Sequence, residues 1–454
     1  MTEVIMVPFA GEGTGTGELT WGQQHIWGTI HALNSTMNMC ATRELPAGAT
    51  VAEFVDELRF YVNRYQAMRT LLQYVPDALP RQVVVDSGEV PLEIVDIPAS
   101  QDSAETAAAL VTEQKELAFD YEVEFPIRMI LIRREGVLTH LVTVLSHFAT
   151  DAGGALAMYN AFVRRDPETG ETSVPLGIES LELAAQQRTP AGKRQNDASL
   201  RYWEELLRTI PMSRPRTPVE SVDGRFWQVQ MDSPAMSLAA QAIASRSGVD
   251  ISSVVLGATA VALARVTGIS PSVAQMLVSN RFRPGLADIV SNISQTGLFV
   301  VDVTGITVDE AIARTRQATV KAYKAAYFDL PAWRDLIDRV SRERGGEIEL
   351  GCYYNDRPSE HQPTVTGTGP TRDEIEAAVA RTGPMRWTQL PFFNERLMVT
   401  IDYVPDAIAL LVIGDTHYVP RAEVEELARQ IEAIVVASAL EAGLPTGVVA
   451  ESAV

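Results

Sequence analysis

The stretch LVTVLSHFATDAGGALAMYNAF, Leu141 to Phe162, decides how this chain is read. Leu138 to Leu145 carries apolar residues on both faces of a strand, so it reads as a central, buried strand. The strand runs into Ser146-His147, and a helical pattern begins near Asp151 to Gly154. A helix start leaves backbone N–H groups without partners and carries the positive end of the helix dipole. A neutral imidazole next to those donors sets a proton acceptor beside an oxyanion site, the two parts that acyl transfer needs. Gly153 and Gly154 let backbone come close to a ligand. Packing explains the same letters differently: Asp151 then only caps the helix, and the glycines only admit it onto the sheet.

The bulk of the chain limits the choices. At 454 residues it is too long for one ordinary core, so two lobes are expected, 1–180 and 181–454. The polar stretch Arg164 to Asn196, with Pro167, Pro175 and Pro190, reads as the linker near their border. A net charge of -20 with no basic patch argues against nucleic acid and against anionic lipid as partners. Cys40 and Cys352 are far apart, which argues against a disulfide framework and a structural zinc site. His25, His31, His140, His361 and His417 have no metal-ligand spacing, so no metal is expected. GEGTGTG, Gly11 to Gly17, lacks the Lys-Ser/Thr of a phosphate loop and reads as a hairpin or flexible loop. No secretory leader and no long apolar run is visible, so the expectation is a cytoplasmic protein with no membrane partner.

Helices and strands alternate along the chain. Thr20 to Leu33 reads as a helix, and so does the segment after Thr50, with Thr50 and Glu53 as a capping box. Two strands meet around Arg134-Glu135-Gly136. In the second half Ser233 caps a helix with Pro234 in its first position, and Gly268 stops a buried helix. SVAQMLVSNR, TGLFVVDV, EIELGCYY, ERLMVTIDYV and AIALLVIG read as strands. The pattern is α/β, two lobes with mixed sheets.

Further motifs stand in order around the opening stretch. They are LTWGQQHIW (Leu19 to Trp27), RYQAMRTLL (Arg64 to Leu72), LPRQVVV, FPIRMILI, YWEELL (Tyr202 to Leu207), SNRFRPGLADIVSNISQTGLFVV (Ser279 to Val301) and YYNDRP. With Ser146-His147-Phe148-Ala149-Thr150-Asp151-Ala152 set against His-His-x-x-x-Asp-Gly, the chain resembles the condensation domains of nonribosomal peptide synthetases, within the chloramphenicol acetyltransferase-like acyltransferases. The resemblance covers roughly residues 19 to 440.

It implies two chloramphenicol acetyltransferase-like lobes in a V, with an active-site tunnel between them. It implies an acyltransferase that forms an amide or ester bond in nonribosomal peptide or polyketide antibiotic biosynthesis. The donor is a thioester on the phosphopantetheine of an acyl or peptidyl carrier protein. The acceptor is an amine or hydroxyl, on a small molecule or a second carrier, and no cofactor is bound. Since the chain has no room for an adenylation domain and no Gly-Gly-x-Ser signature, a stand-alone enzyme is expected. By resemblance His147 is catalytic, with backbone N–H groups around Gly153 on the oxyanion. Asp151 holds the loop by pairing with an Arg, either Arg281 or Arg128. Ser146 supports the same loop, and Ala152, Gly154 and Trp387 line the tunnel. Ser146 stands where the family has its first His, Ala152 where it has Gly, and Val301 where many relatives have Asn. Those departures keep a second reading open, a degenerate condensation-like domain that recruits a carrier protein or tailoring enzyme. A transferase using acyl-coenzyme A is a third. Arg188 to Arg201 is either a carrier-docking segment or a solvated linker.

Overall fold

The structure, a computed structural model, describes residues 2–33, 35–166, 169–212, 224–365 and 367–449. The chain begins with β1 (Thr2–Ala10), β2 (Gly15–Glu18), α1 (Trp21–Leu33), β3 (Asn38–Glu44), α2 (Val51–Arg64), β4 (Thr70–Gln73) and β5 (Arg81–Val84). It continues through β6 (Ser87–Ile97), α3 (Ser103–Glu116), β7 (Ile127–Arg134), β8 (Val137–Ser146), α4 (Ala152–Val163), α5 (Ser180–Gln187) and α6 (Pro190–Leu207). One sheet has the order β1-β6-β7-β8-β3, with β6 and β7 parallel and the other neighbours antiparallel. A smaller sheet has the order β2-β5-β4.

Strand β8 is buried on both faces, which is why its apolar residues do not alternate cleanly with polar ones. Leu141 and Leu145 pack with Leu58 and Tyr61 of α2 and Met158 of α4. Val142 and Val144 point the other way, into a cluster with Ile26 and Trp27 of α1. The β7–β8 turn has positive φ at both Glu135 (49°) and Gly136 (80°), the geometry that matches strand twist in a two-residue hairpin. Helix α2 starts at the expected box, with the Thr50 N–H donating to the Glu53 carboxylate at 3.0 Å. Arg69, from the RYQAMRTLL motif, is buried and donates to the Gly13 carbonyl at 2.7 Å and to those of Glu12 and Val85. It thereby ties down the glycine-rich loop, part of which forms β2.

The rest of the chain is β9 (Phe226–Ser233), α7 (Pro234–Ser247), α8 (Ile251–Thr267), β10 (Ser272–Val278), β11 (Gln295–Val301), α9 (Val308–Ala325) and α10 (Leu330–Arg344). Then come β12 (Cys352–Arg357), α11 (Arg372–Val379), β13 (Arg386–Leu390), β14 (Leu397–Val404), β15 (Ala407–Asp415) and α12 (Arg421–Leu440). The strands form one sheet in the order β11-β10-β12-β14-β15-β9-β13. The β10/β12 and β12/β14 pairs are parallel, and β14/β15, β15/β9 and β9/β13 are antiparallel. Helix α7 starts as read, with Ser233 accepting from the Met236 N–H at 2.9 Å and Pro234 in the first position. Helix α8 ends at Gly268, whose φ is 71°.

Contacts divide the chain into two units, Met1–Asn196 with Ser279–Gln295, and Asp197–Val278 with Thr296–Val454. This differs from a border at 180/181 in two ways. Residues 181–187 and 190–196 are helix rather than linker: α5 and the start of α6 belong to the first unit, with Pro190 serving as a first helical residue rather than a breaker. Gly192 is needed there, because a side chain would strike the backbone of Gln187. The loop 279–295 also belongs to the first unit, although it lies between two strands of the second. Pro167 falls outside the described residues. EIELGCYY is strand only from Cys352, since Ile348 turns into the cluster with Trp203 and Phe328, and Glu349 pairs with Arg396. Among the described residues, no single helix is long and apolar enough to cross a membrane.

Each unit also keeps a carboxyl whose burial raises it out of the usual range. Glu179, just ahead of α5, is pushed up to about 7, and so is Glu395, just ahead of β14.

Candidate active site

The turn after β8 is built by backbone and side-chain bonds together. The Ser146 carbonyl accepts from the Ala149 N–H at 3.0 Å, and its hydroxyl oxygen accepts from the Phe148 N–H at 3.2 Å. That hydroxyl also lies 2.6 Å from the Tyr121 hydroxyl. Burial pushes the Tyr121 phenol up to about 12, so it stays protonated and able to donate. Phe148 drops beneath the turn and meets Trp27 and Tyr121 edge-on, at centroid distances of 5.8 and 5.5 Å. Trp27 of the LTWGQQHIW motif is therefore part of the floor under the turn.

His147 is half-buried, and its Nδ1 lies 3.0 Å from the Thr150 carbonyl. A carbonyl can only accept, so this contact selects the tautomer with the proton on Nδ1. Nε2 is left with a lone pair and no protein partner among the described residues. The Asn292 amide nitrogen donates to the His147 carbonyl at 2.8 Å and lies 3.1 Å from Nδ1.

Asp151 is the N-cap of α4 and is buried. Its Oδ1 accepts from the Gly154 N–H at 2.9 Å and from Arg281. Its Oδ2 accepts from the Ser294 hydroxyl at 3.1 Å and from the Ile293 N–H at 3.4 Å. The structure thus brings Asp151 to Arg281, whose other terminal nitrogen donates to the carbonyls of Ala287 (3.1 Å) and Ile289 (2.9 Å). Arg128 serves elsewhere, paired with Glu124 at 2.6 Å and stacked on Phe119.

Of the two uses read in the sequence for the glycines, close packing against protein is visible in the contacts. A side chain on Gly153 would strike Arg281, and one on Gly154 would strike Thr150 and approach Arg281 at 3.0 Å. The close approach they allow is to protein. The Gly154 N–H is already taken by Asp151, which leaves those of Ala152 and Gly153 as the donors at the helix start without a protein acceptor among the described residues. Ala152 is exposed. Trp387 lies in the other unit, on β13, 6.3 Å from Trp227 and under Arg421 at 4.4 Å. From the Arg188 to Arg201 segment, Arg188 is already engaged by Glu18 and by the carbonyls of Leu19 and Ala184.

Sequence reasoning misses Asn292, Ser294 and Thr150. The polar run Ser291-Asn292 between Val290 and Ile293 is the available signal, and all four residues are buried. Gly22 explains how that run is held, since a side chain there would meet the backbone of Asn292 and the Ile293 Cα at 2.6 Å. Helix α1 presses directly on the segment that reaches His147.

Comparison with known proteins follows the same lines. The condensation-domain family model matches residues 15–346. The chain is 27% identical over 358 residues to phosphinothricin tripeptide synthetase PhsC of Streptomyces viridochromogenes, covering 74% of this chain and 32% of that one. With malpibaldin synthetase of Mortierella alpina it shares 24% over 334 residues, 69% of this chain and 6% of that one. The chain spans a third or less of the length of these relatives. Among solved structures, the X-domain from teicoplanin biosynthesis has the same fold, with a TM-score of 0.70 at 16% identity over 96% of this chain and 97% of that one. The first condensation domain of the calcium-dependent antibiotic synthetase, solved with a substrate analogue, gives 0.69 at 15% identity over 96% of this chain and 99% of that one. Fold, motif order and family model agree, and the chain belongs to the condensation-domain family.

Proposed function

We propose that this protein joins an acyl group, carried as a thioester on the phosphopantetheine of a carrier protein, to an amine or hydroxyl acceptor. The carrying observation is the turn itself. His147 has Nδ1 on the Thr150 carbonyl, and the N–H groups of Ala152 and Gly153, at the start of the same helix, have no protein acceptor among the described residues. In this reading the acceptor attacks the thioester carbon while His147 Nε2 takes its proton. The carbonyl oxygen gains negative charge, which the helix-start donors stabilise. Collapse breaks the C–S bond, and the carrier thiolate leaves and takes the proton from His147 Nε2, which restores the base. Asp151, Arg281 and Ser146 keep the turn in shape and do not touch the reacting atoms. Much of the acceleration comes from holding donor and acceptor together.

The test is intact-protein mass spectrometry of acyl transfer from loaded carrier proteins to a panel of amines and alcohols, beside His147→Ala. Product formation that falls on the order of 100-fold in the variant supports the reading. Product formed equally by both proteins removes His147 from the chemistry. Carrier binding without product from any pair favours recruitment instead, the reading to which the likeness to an X-domain and the presence of Ser146 in the motif lend support. Transfer from acyl-coenzyme A in place of a loaded carrier would overturn the carrier requirement.

A further inference from the structure

We infer that Asn292 is the positioning residue of His147, anchoring the peptide that carries the ring while the Thr150 carbonyl holds Nδ1, so that Nε2 is the nitrogen offered to substrate. The inference rests on the reading of His147 as the proton acceptor and adds a residue to that site.

The argument starts from what surrounds Nδ1. Two groups lie within hydrogen-bonding distance, the Thr150 carbonyl at 3.0 Å and the Asn292 amide nitrogen at 3.1 Å. They make opposite demands. The carbonyl needs a proton on Nδ1, and the amide N–H needs a lone pair there. The amide has another acceptor, the His147 carbonyl at 2.8 Å, so it does not depend on the ring. With Asn292 bonded to the peptide of His147, the ring proton goes to Thr150 and Nε2 keeps its lone pair. The amide nitrogen then acts as a wall beside the ring and as an anchor for the backbone beneath it.

The amide group is oriented by its surroundings. Its Oδ1 accepts from the Ser294 N–H at 3.2 Å, which places the nitrogen toward His147. The residue is 1% exposed. Its neighbours are fixed one by one: Ser291 accepts from the Ser180 hydroxyl at 3.0 Å, Ile293 accepts from the Asn280 side chain at 3.0 Å, and Ser294 donates to Asp151. Gly22 admits α1 against the same backbone. Asp151 therefore acts on His147 by two routes. It caps the helix that closes the turn, and it pins the segment that carries Asn292.

Two variants separate a donor from a space-filler. Asn292→Leu keeps much of the volume and removes the donor. Asn292→Asp keeps the shape and turns donor into acceptor, facing a carbonyl that can only accept. Each is measured on the full chain in two ways, by kcat and KM for transfer and by the ¹⁵N imidazole spectrum, with His147→Gln identifying the His147 signals. The expected result is a fall in kcat of roughly 10- to 100-fold in both variants with KM little changed, because an interaction that aligns the reacting nitrogen acts on the chemical step. In Asn292→Leu the spectrum should show the His147 signals shifted, because the peptide has lost its anchor, but still in the Nδ1–H tautomer, because the Thr150 carbonyl holds that proton. Thermal unfolding of both variants shows that the protein being measured is folded.

Wild-type kcat in Asn292→Asp would overturn the inference, since shape alone would then suffice. Unshifted His147 signals in a folded Asn292→Leu protein would overturn it as well. If His147→Ala itself retains full transfer, the proposed role of His147 falls, while the shift of the imidazole signals in Asn292→Leu still decides whether Asn292 anchors the His147 peptide.

Discussion

The two units each contain a strand that leads into a helix near the end of a sheet, and they make the junction in opposite ways. In the second unit β9 passes into α7 with no intervening residue. Ser233 ends the strand and caps the helix, and it is tied to Thr382 and Glu432. Its helix is small-residue and buried on most sides. In the first unit β8 and α4 are separated by a five-residue turn, and the cap, Asp151, needs Arg281, Ile293 and Ser294 from more than a hundred residues away. Both caps reach far along the chain, but the direct junction is held by a hydroxyl and leaves no side chain over. The open turn needs a charged brace, and in exchange it presents a ring nitrogen that no described residue occupies.

This contrast can be broken in graded steps. Asp151→Ala should have the largest effect, because it leaves the partly buried Arg281 guanidinium without its counter-charge; a loss of about 3 kcal/mol in urea unfolding is expected. A loss below about 1 kcal/mol would mean the brace is ornamental. Gly153→Ala should come next, at about 1–3 kcal/mol, because the added methyl meets Arg281 and forces it off its three acceptors. Ser233→Ala should cost about 1 kcal/mol, the ordinary value of a helix cap. Equal costs at Asp151 and Ser233 would erase the distinction between braced and direct junctions.

The smallest expected effect is on pH dependence. Burial raises Glu179 to about 7 from 4.5, so between those values the folded protein holds a proton that the unfolded chain has released. Stability therefore falls as pH rises through that window. Glu179→Gln should flatten the slope, read from urea midpoints at pH 5, 6 and 7. Glu395→Gln should do the same, since that carboxyl is raised to about the same value.

What can be read in the sequence is what local chemistry fixes. The opening stretch locates the buried strand, the histidine and the helix start. Thr50 with Glu53, Ser233 with Pro234, and Gly268 mark helix ends because caps have side-chain requirements of their own. Strand β1 is illegible because Pro8 and the following glycines mask its alternation, and β6 because Pro91 interrupts it. Helix α5 and the start of α6 are hidden by Pro190 and Gly192, which read as breakers and act as a helix start and a close approach. At the site, the motif marks His147 and Asp151, and the resemblance offers Arg281 as one of two partners. Asn292 cannot be read, since its bond to His147 spans 145 residues and nothing near it in sequence requires that partner.

The loop 279–295 belongs by contact to a unit whose other residues end at Asn196. This has a consequence for the order in which the protein is made. A ribosome that has finished residue 196 has supplied every strand of the first unit but neither the cation for Asp151 nor the amide for His147. Those arrive only after α7, α8 and β10 have been synthesised. The nascent first unit must wait with a carboxylate uncompensated and a histidine unheld. The turn after β8 is thus one of the last parts of that unit to be completed, and its assembly reports that the chain has been translated well into the second.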